Sequence, residues 1–247
     1  YQVMRDLYVE FLGVSSHELY HTWNVKAIRP VEMYPYDYSR ENYTKLGYIA
    51  EGVTTYMGDL FLWKSGVFDD DQFFKVFQGQ INKHLSNLGR FNHSVADSSF
   101  DTWLDGYVKG IPERKVSIYT EGCLISFMID TLIMRATENK KSLHDVMRNL
   151  FFNYALKNKG VSEADYKKEI ESVSGQNFDT FFEQYVNGNH AYESLLYECL
   201  EYVGLALELT PSKDKAAALL GIKTLKAGKI TVVDEVYPGS TADLMGL

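Results

Sequence analysis

Two histidines four residues apart, His17 and His21 in the string HELYH, enclose a glutamate, Glu18, and after 29 intervening residues comes Glu51. If residues 17–21 are helical, the two imidazoles leave the same side of the helix and can share one ion. A third protein ligand, Glu51, would leave one position open, the arrangement of a catalytic rather than a structural zinc. Two histidines and one carboxylate suit Zn²⁺, so one zinc per chain is expected. Glu18 then stands beside the metal, placed to take a proton from a water whose pKa zinc lowers to about 7 and to return it to a leaving amine. The chemistry is hydrolysis of a peptide bond. Thr55 and Asp59, four and eight positions after Glu51, share its helix face and are candidates to orient a ligating histidine.

Those groups need two helices. Val3, Leu7, Tyr8, Phe11 and Leu12 recur at helical spacing and lead into VSSHELYHTW, where Ser15 or Ser16 is expected to shape a helix start and His17 to Trp23 to be helical. Leu46, Ile49, Val53, Tyr56, Met57, Leu60 and Phe61 mark a second helix that carries Glu51 early and stops before Gly66. Between them, residues 24–44 hold two prolines and many tyrosines without a period, which describes an ordered loop. Asn24, Asp37 and Tyr38 lie in it, with no task assigned. Further helices are expected over about 71–88, 119–137, 142–157, 162–173 and 178–186, with caps at Ser142/Asp145 and Ser162/Asp165 and stops at Gly160 and Gly175. The string LISFMIDTLIM is apolar nearly all round and belongs at the centre of the bundle. From Tyr202 on, the short runs YVGLALEL, LGIKTL and KITVVDEV, separated by turn residues, read as β structure.

The wording around these groups, HELYHTWNVKAIRP, PYDY, ENYT and EGVTTYMGDLFLWKSG, then SSFDTW, SIYTEGCLISFMIDTLIMRAT, KKSLHDVMRNL and VSGQNFDTFFEQYVNG, closely resembles the glycyl aminopeptidase family of gluzincins that carry a PDZ domain. The resemblance covers nearly all of residues 5–210. It implies zinc roles for His17, His21 and Glu51 and a general base at Glu18, in agreement with the reading of the residues themselves. It further implies that Tyr119, in YTEG, donates a hydrogen bond to the tetrahedral oxyanion. The chain departs from the family at Glu121, where lysine is usual, and at Ala27, where arginine is frequent. The tail LGIKTLKAGKITVVDEVYPGSTADLMGL resembles the first part of a PDZ domain of bacterial proteases. Leu220, Gly221 and Ile222 would there form a loop whose N–H groups hold a peptide carboxylate.

Bulk composition narrows the rest. A net charge of −8, with 25 Lys and Arg dispersed among 33 Asp and Glu, offers no cationic face for phosphate backbones, so nucleic acid is not an expected partner. No apolar run reaches the roughly 18 residues of a membrane span. The start YQVMRDLYVE has neither an initiator Met nor a signal-peptide design and reads as that of a fragment. The expected setting is a soluble one, bacterial cytoplasm or periplasm. Cys123 and Cys199 leave a structural disulfide open. His84, His93, His144 and His190 lack ligand spacing and are assigned to surface or packing.

The expected architecture is mainly α: a thermolysin-like helical catalytic domain over residues 1–200, followed by a truncated PDZ-like β unit over 201–247. The expected activity is that of a zinc aminopeptidase hydrolysing peptide bonds after small N-terminal residues, glycine or alanine, a preference that the resemblance alone implies. Two rivals stand beside it: an endopeptidase of the same chemistry, and a PDZ scaffold that binds a peptide C-terminus around a structural metal.

Overall fold

A computed structural model of the chain describes residues 2–105 and 113–247. It divides into two compact units, Tyr1–Leu205 and Ala206–Leu247. Among the described residues no helix is long and apolar enough to cross a membrane.

The first unit is helical. α1 (Gln2–Tyr20) runs without a break into the HELYH segment. Ser15 and Ser16 therefore do not start a helix: Ser15 Oγ donates back to Phe11 O (2.7 Å) and Ser16 Oγ to Gly58 O (2.8 Å). Residues 21–23 are turns rather than helix. The loop that follows is ordered, with a short 3₁₀ turn at Val31–Met33. The second predicted helix begins as one turn of π-helix, Tyr48–Val53, and continues as α2 (Thr54–Lys64), ending at Gly66 with φ +76°.

Next come α3 (Asp70–Ser86), two short helices α4 (Val95–Phe100) and α5 (Thr102–Asp105), and α6 (Ile118–Ala136). α6 is the hub. Leu124, Met128, Ile129 and Ile133 are fully buried there, as the all-round apolar pattern requires. α7 (Leu143–Asn153) and α8 (Glu163–Ser174) both open with a capping box, Ser142/Asp145 and Ser162/Asp165, and α8 stops at Gly175 with φ +69°. α9 (Asp179–Phe181) passes into a second π-helical turn, Phe182–Val186. α10 (Glu193–Tyr202) closes the unit.

The reading of YVGLALEL as a strand fails: Tyr202 is the last residue of α10, and Leu205 N donates to Leu200 O (2.9 Å) in a helix-terminating turn. Residues 202–209 are exposed or half-buried and belong to no strand. The disulfide is also absent, because Cys123 and Cys199 are both free and buried.

In the second unit, α11 (Lys215–Leu220) leads through Gly221, φ +69°, into an antiparallel hairpin of β1 (Ile222–Ala227) and β2 (Ile230–Val236), with α12 (Thr241–Leu244) after it. Register pairs Ile222 with Val236 and Ala227 with Ile230, with an irregularity at Lys223/Thr224.

Candidate metal centre

α1 and the π-helical turn meet at three side chains. His17 Nε2 lies 3.1 Å and His21 Nε2 3.3 Å from the same oxygen of Glu51, Oε2. The three donor atoms all fall within 4.8 Å of one another. Donors held 2.0–2.1 Å from a tetrahedral zinc stand about 3.3 to 3.4 Å apart, and the two histidine–glutamate separations match that edge. The i, i+4 spacing holds through the end of α1 because His21 N still donates to His17 O (3.2 Å). Residues and metal therefore fit.

The outer nitrogens fix the tautomers. Thr55 Oγ1 donates to Glu51 O (2.8 Å), which leaves its lone pairs toward His17 Nδ1 at 3.4 Å. His21 Nδ1 faces Asn24 O at 3.3 Å. A carbonyl only accepts, so Nδ1 carries the hydrogen and Nε2 turns a lone pair to the metal position. Burial pushes the Glu51 carboxyl up, but hydrogen bonds and charge from His17 and His21 outweigh it and bring it to about 2. The bond to Glu51 raises His21 above its ordinary value.

Two further residues build this geometry and went unassigned in the sequence. Asn24, only 1% exposed, donates through Nδ2 to Ile49 O (2.8 Å), Ala50 O (3.2 Å) and Thr54 Oγ1 (3.0 Å). It holds the turn after α1 against the π-helical carbonyls, which a wider i to i+5 ladder leaves open to outside donors. Thr54 Oγ1 donates to Ala50 O (2.7 Å) and lies 3.5 Å from His21 Nδ1. The spacing signals were there: Asn24 is three positions after His21, and Thr54 three after Glu51.

Glycine sets how close the elements come. A Cβ on Gly52 would lie 2.3 Å from Gly122 Cα, and one on Gly122 would lie 2.5 Å from Tyr48 O. The π-helical turn and α6 thus touch backbone to backbone, which brings Tyr119 to the metal side: its ring stacks near His17 at 5.9 Å, interplanar 29°. Glu18 is exposed, one position on from His17. Thr55 meets His17 as described. Burial pushes the Asp59 carboxyl up to about 6, while the charges of His17 and Lys83 pull it down.

The other candidates lie elsewhere. In the Ala206–Leu247 unit, Leu220 ends α11, the Gly221 N–H donates to Ala217 O (3.0 Å), and Ile222 pairs in β1. Of the remaining histidines, His84 is 1% exposed and bonded to Glu121, and His93 Nε2 lies 3.2 Å from Asp101. His144 packs against Phe61.

Residues 10–125 match the sequence profile described as M61 glycyl aminopeptidase. No curated protein matches the chain. Among solved structures, a crystal structure of an aminopeptidase N family protein from Idiomarina loihiensis superposes with TM-score 0.84 at 24% identity, over 97% of this chain and 43% of that one. The fold is shared with that protein, and the chain spans under half of its length. The profile match supports a peptidase, and the structural likeness shows the fold.

Proposed function

We propose that this chain is the zinc-binding catalytic part of an aminopeptidase that hydrolyses peptide bonds after small N-terminal residues, glycine or alanine. The observation that carries the reading is the convergence of His17 Nε2, His21 Nε2 and Glu51 Oε2, spaced as three donors to one ion. Zinc held there supplies Lewis acidity toward water and the scissile carbonyl. Glu18 takes the proton of the attacking water and delivers it to the leaving amine. Its exposure keeps it accessible to both. Tyr119 donates its phenolic hydrogen to the carbonyl oxygen as negative charge gathers there. Thr55 and Asn24 hold the two imidazoles in the productive tautomer, and Asp59 adds negative charge behind His17. Glycine is supported by the profile's description, and alanine by the sequence resemblance alone.

The Ala206–Leu247 unit supports a second role, because its sheet has two strands among the described residues. A hairpin with open edges can take an added peptide strand, and a peptide C-terminus is the partner assigned to it. The Gly221 N–H is already spent on Ala217 O and is not free for that carboxylate.

The test is zinc content of the wild-type protein beside His21→Ala, followed by turnover of glycyl and alanyl peptides, each free and N-acetylated. One zinc per chain, lost in His21→Ala, with cleavage of the free peptides only, is expected. Cleavage of both forms would make the protein an endopeptidase, and absence of bound zinc after loading would leave only the scaffold. Glu18→Gln should keep its zinc and lose about 10²- to 10⁴-fold in kcat.

A further inference from the structure

Glu121, two positions after Tyr119 in the first turn of α6, is 3% exposed and carries no role in the chemistry above. Its carboxylate accepts the hydroxyl hydrogen of Tyr192 and faces His84 Nδ1 at 3.0 and 3.1 Å. A carboxylate only accepts, so Nδ1 is the donor. The Tyr192 ring stacks on the His84 imidazole, with centroids 4.5 Å apart and 19° between planes. His84 and Tyr192 are 1% and 5% exposed.

The three side chains come from three helix ends: the last turn of α3, the first turn of α6 and the residue that opens α10. The assembly is backed from the other side. His84 Nε2 lies 3.7 Å from Glu193 Oε1, which Arg90 Nε bonds at 3.2 Å.

The turn is held on other sides too. Thr120 Oγ1 donates to Gln80 Oε1 of α3 (3.0 Å), and Gly122 rests on the π-helical backbone. Residues 120, 121 and 122 are therefore each fixed to a different neighbour, while the Tyr119 ring stacks toward His17. A buried, charge-assisted network is stiff and specifies one geometry.

We propose that Glu121, with His84 and Tyr192, is a positioning assembly that sets the Tyr119 hydroxyl over the reacting carbonyl. The inference rests on the reading of Tyr119 as the oxyanion donor. Tyr192 contributes through a single hydroxyl, and His84 through a single N–H, so small changes suffice to loosen the turn. Loss of aim costs rate in the chemical step and leaves substrate affinity alone, because the hydroxyl bonds the oxyanion and not the ground-state carbonyl.

The experiment is a double-mutant cycle on the zinc-loaded protein, reading kcat, KM and zinc content for wild type, Tyr192→Phe, Tyr119→Phe and the pair, with Glu121→Gln beside them. Tyr192→Phe removes one oxygen and keeps the stacked ring, so it decides the matter even if Glu121→Gln fails to fold. Expected are a kcat loss of about 10²-fold for Tyr119→Phe, about three- to tenfold for Tyr192→Phe, unchanged KM and zinc, and under twofold further loss when Tyr192→Phe is added to Tyr119→Phe. Equal losses in both backgrounds, or none for Tyr192→Phe, would overturn the inference while leaving the reading of Tyr119 intact. An unchanged kcat for Tyr119→Phe would overturn that reading and this inference with it.

Discussion

Adding one methyl group at Gly52 should damage the metal centre without touching a ligand. The new Cβ would lie 2.3 Å from Gly122 Cα, and ordinary contact begins near 3.4 Å, so the two helices must part by 3.4 − 2.3, or 1.1 Å. Metal sites tolerate ligand displacements of about 0.2 Å, and Glu51 is the residue next door. Overpacking of a buried contact costs about 1–3 kcal/mol, and the helix preference of alanine over glycine returns about 1 kcal/mol. A net loss of up to about 2 kcal/mol lowers the melting temperature by up to roughly 8 °C in a unit of this size. Zinc affinity should fall at least tenfold by competition with a chromophoric chelator. Gly79, in α3, is the internal control. A Cβ there meets nothing within 4 Å, so Gly79→Ala should stabilise by up to about 1 kcal/mol and leave zinc affinity unchanged. The close-approach argument fails if Gly52→Ala binds zinc like wild type and melts no lower than Gly79→Ala.

Four other outcomes follow from the structure. Zinc affinity should fall by about tenfold per pH unit once the pH drops below the raised pKa of His21, because a proton then occupies the nitrogen the metal needs; chelator competition across pH 5.5–8 checks it. In the metal-free protein the sign reverses: the His21–Glu51 pair contributes stability below the ordinary 6.5 of histidine that is lost as pH rises through the raised value, and Glu51's share, present above 4.5, is lost as pH falls toward about 2, so chemical melts with chelator present should peak between those limits. Asp130→Ala strips the acceptor from Tyr56 Oη and Leu143 N, both at 2.6 Å in the core, and should cost about 2–5 kcal/mol in urea melts with an unchanged slope. Burial pushes Cys199 up to about 12 and Cys123 well above its usual range, so an aromatic disulfide reagent at pH 8 should label neither in the folded protein and both in denaturant.

What the sequence determined by itself is what depends on neighbours along the chain. His17 and His21 share a face because a helix repeats every 3.6 residues, and the capping boxes at Ser142 and Ser162 declare themselves by a three-residue spacing. The apolar run in α6 marked the hub because a helix without a polar face must be enclosed. The first helix shows the limit of that logic. Its periodic Leu7, Tyr8 and Phe11 are exposed, while the side that packs on α2 does so through Gly13 and Ser16, against Asp59 and Gly58. Apolar period reports that a stripe exists, not what covers it. Likewise the π-helical turn, the buried Asn24, the Gly52–Gly122 contact and the meeting of Glu121 with His84 and Tyr192 were decided by tertiary structure alone. All but the π-helical turn join residues far apart in the chain, and whether a buried carboxylate or a glycine is needed depends on the atom it meets in space.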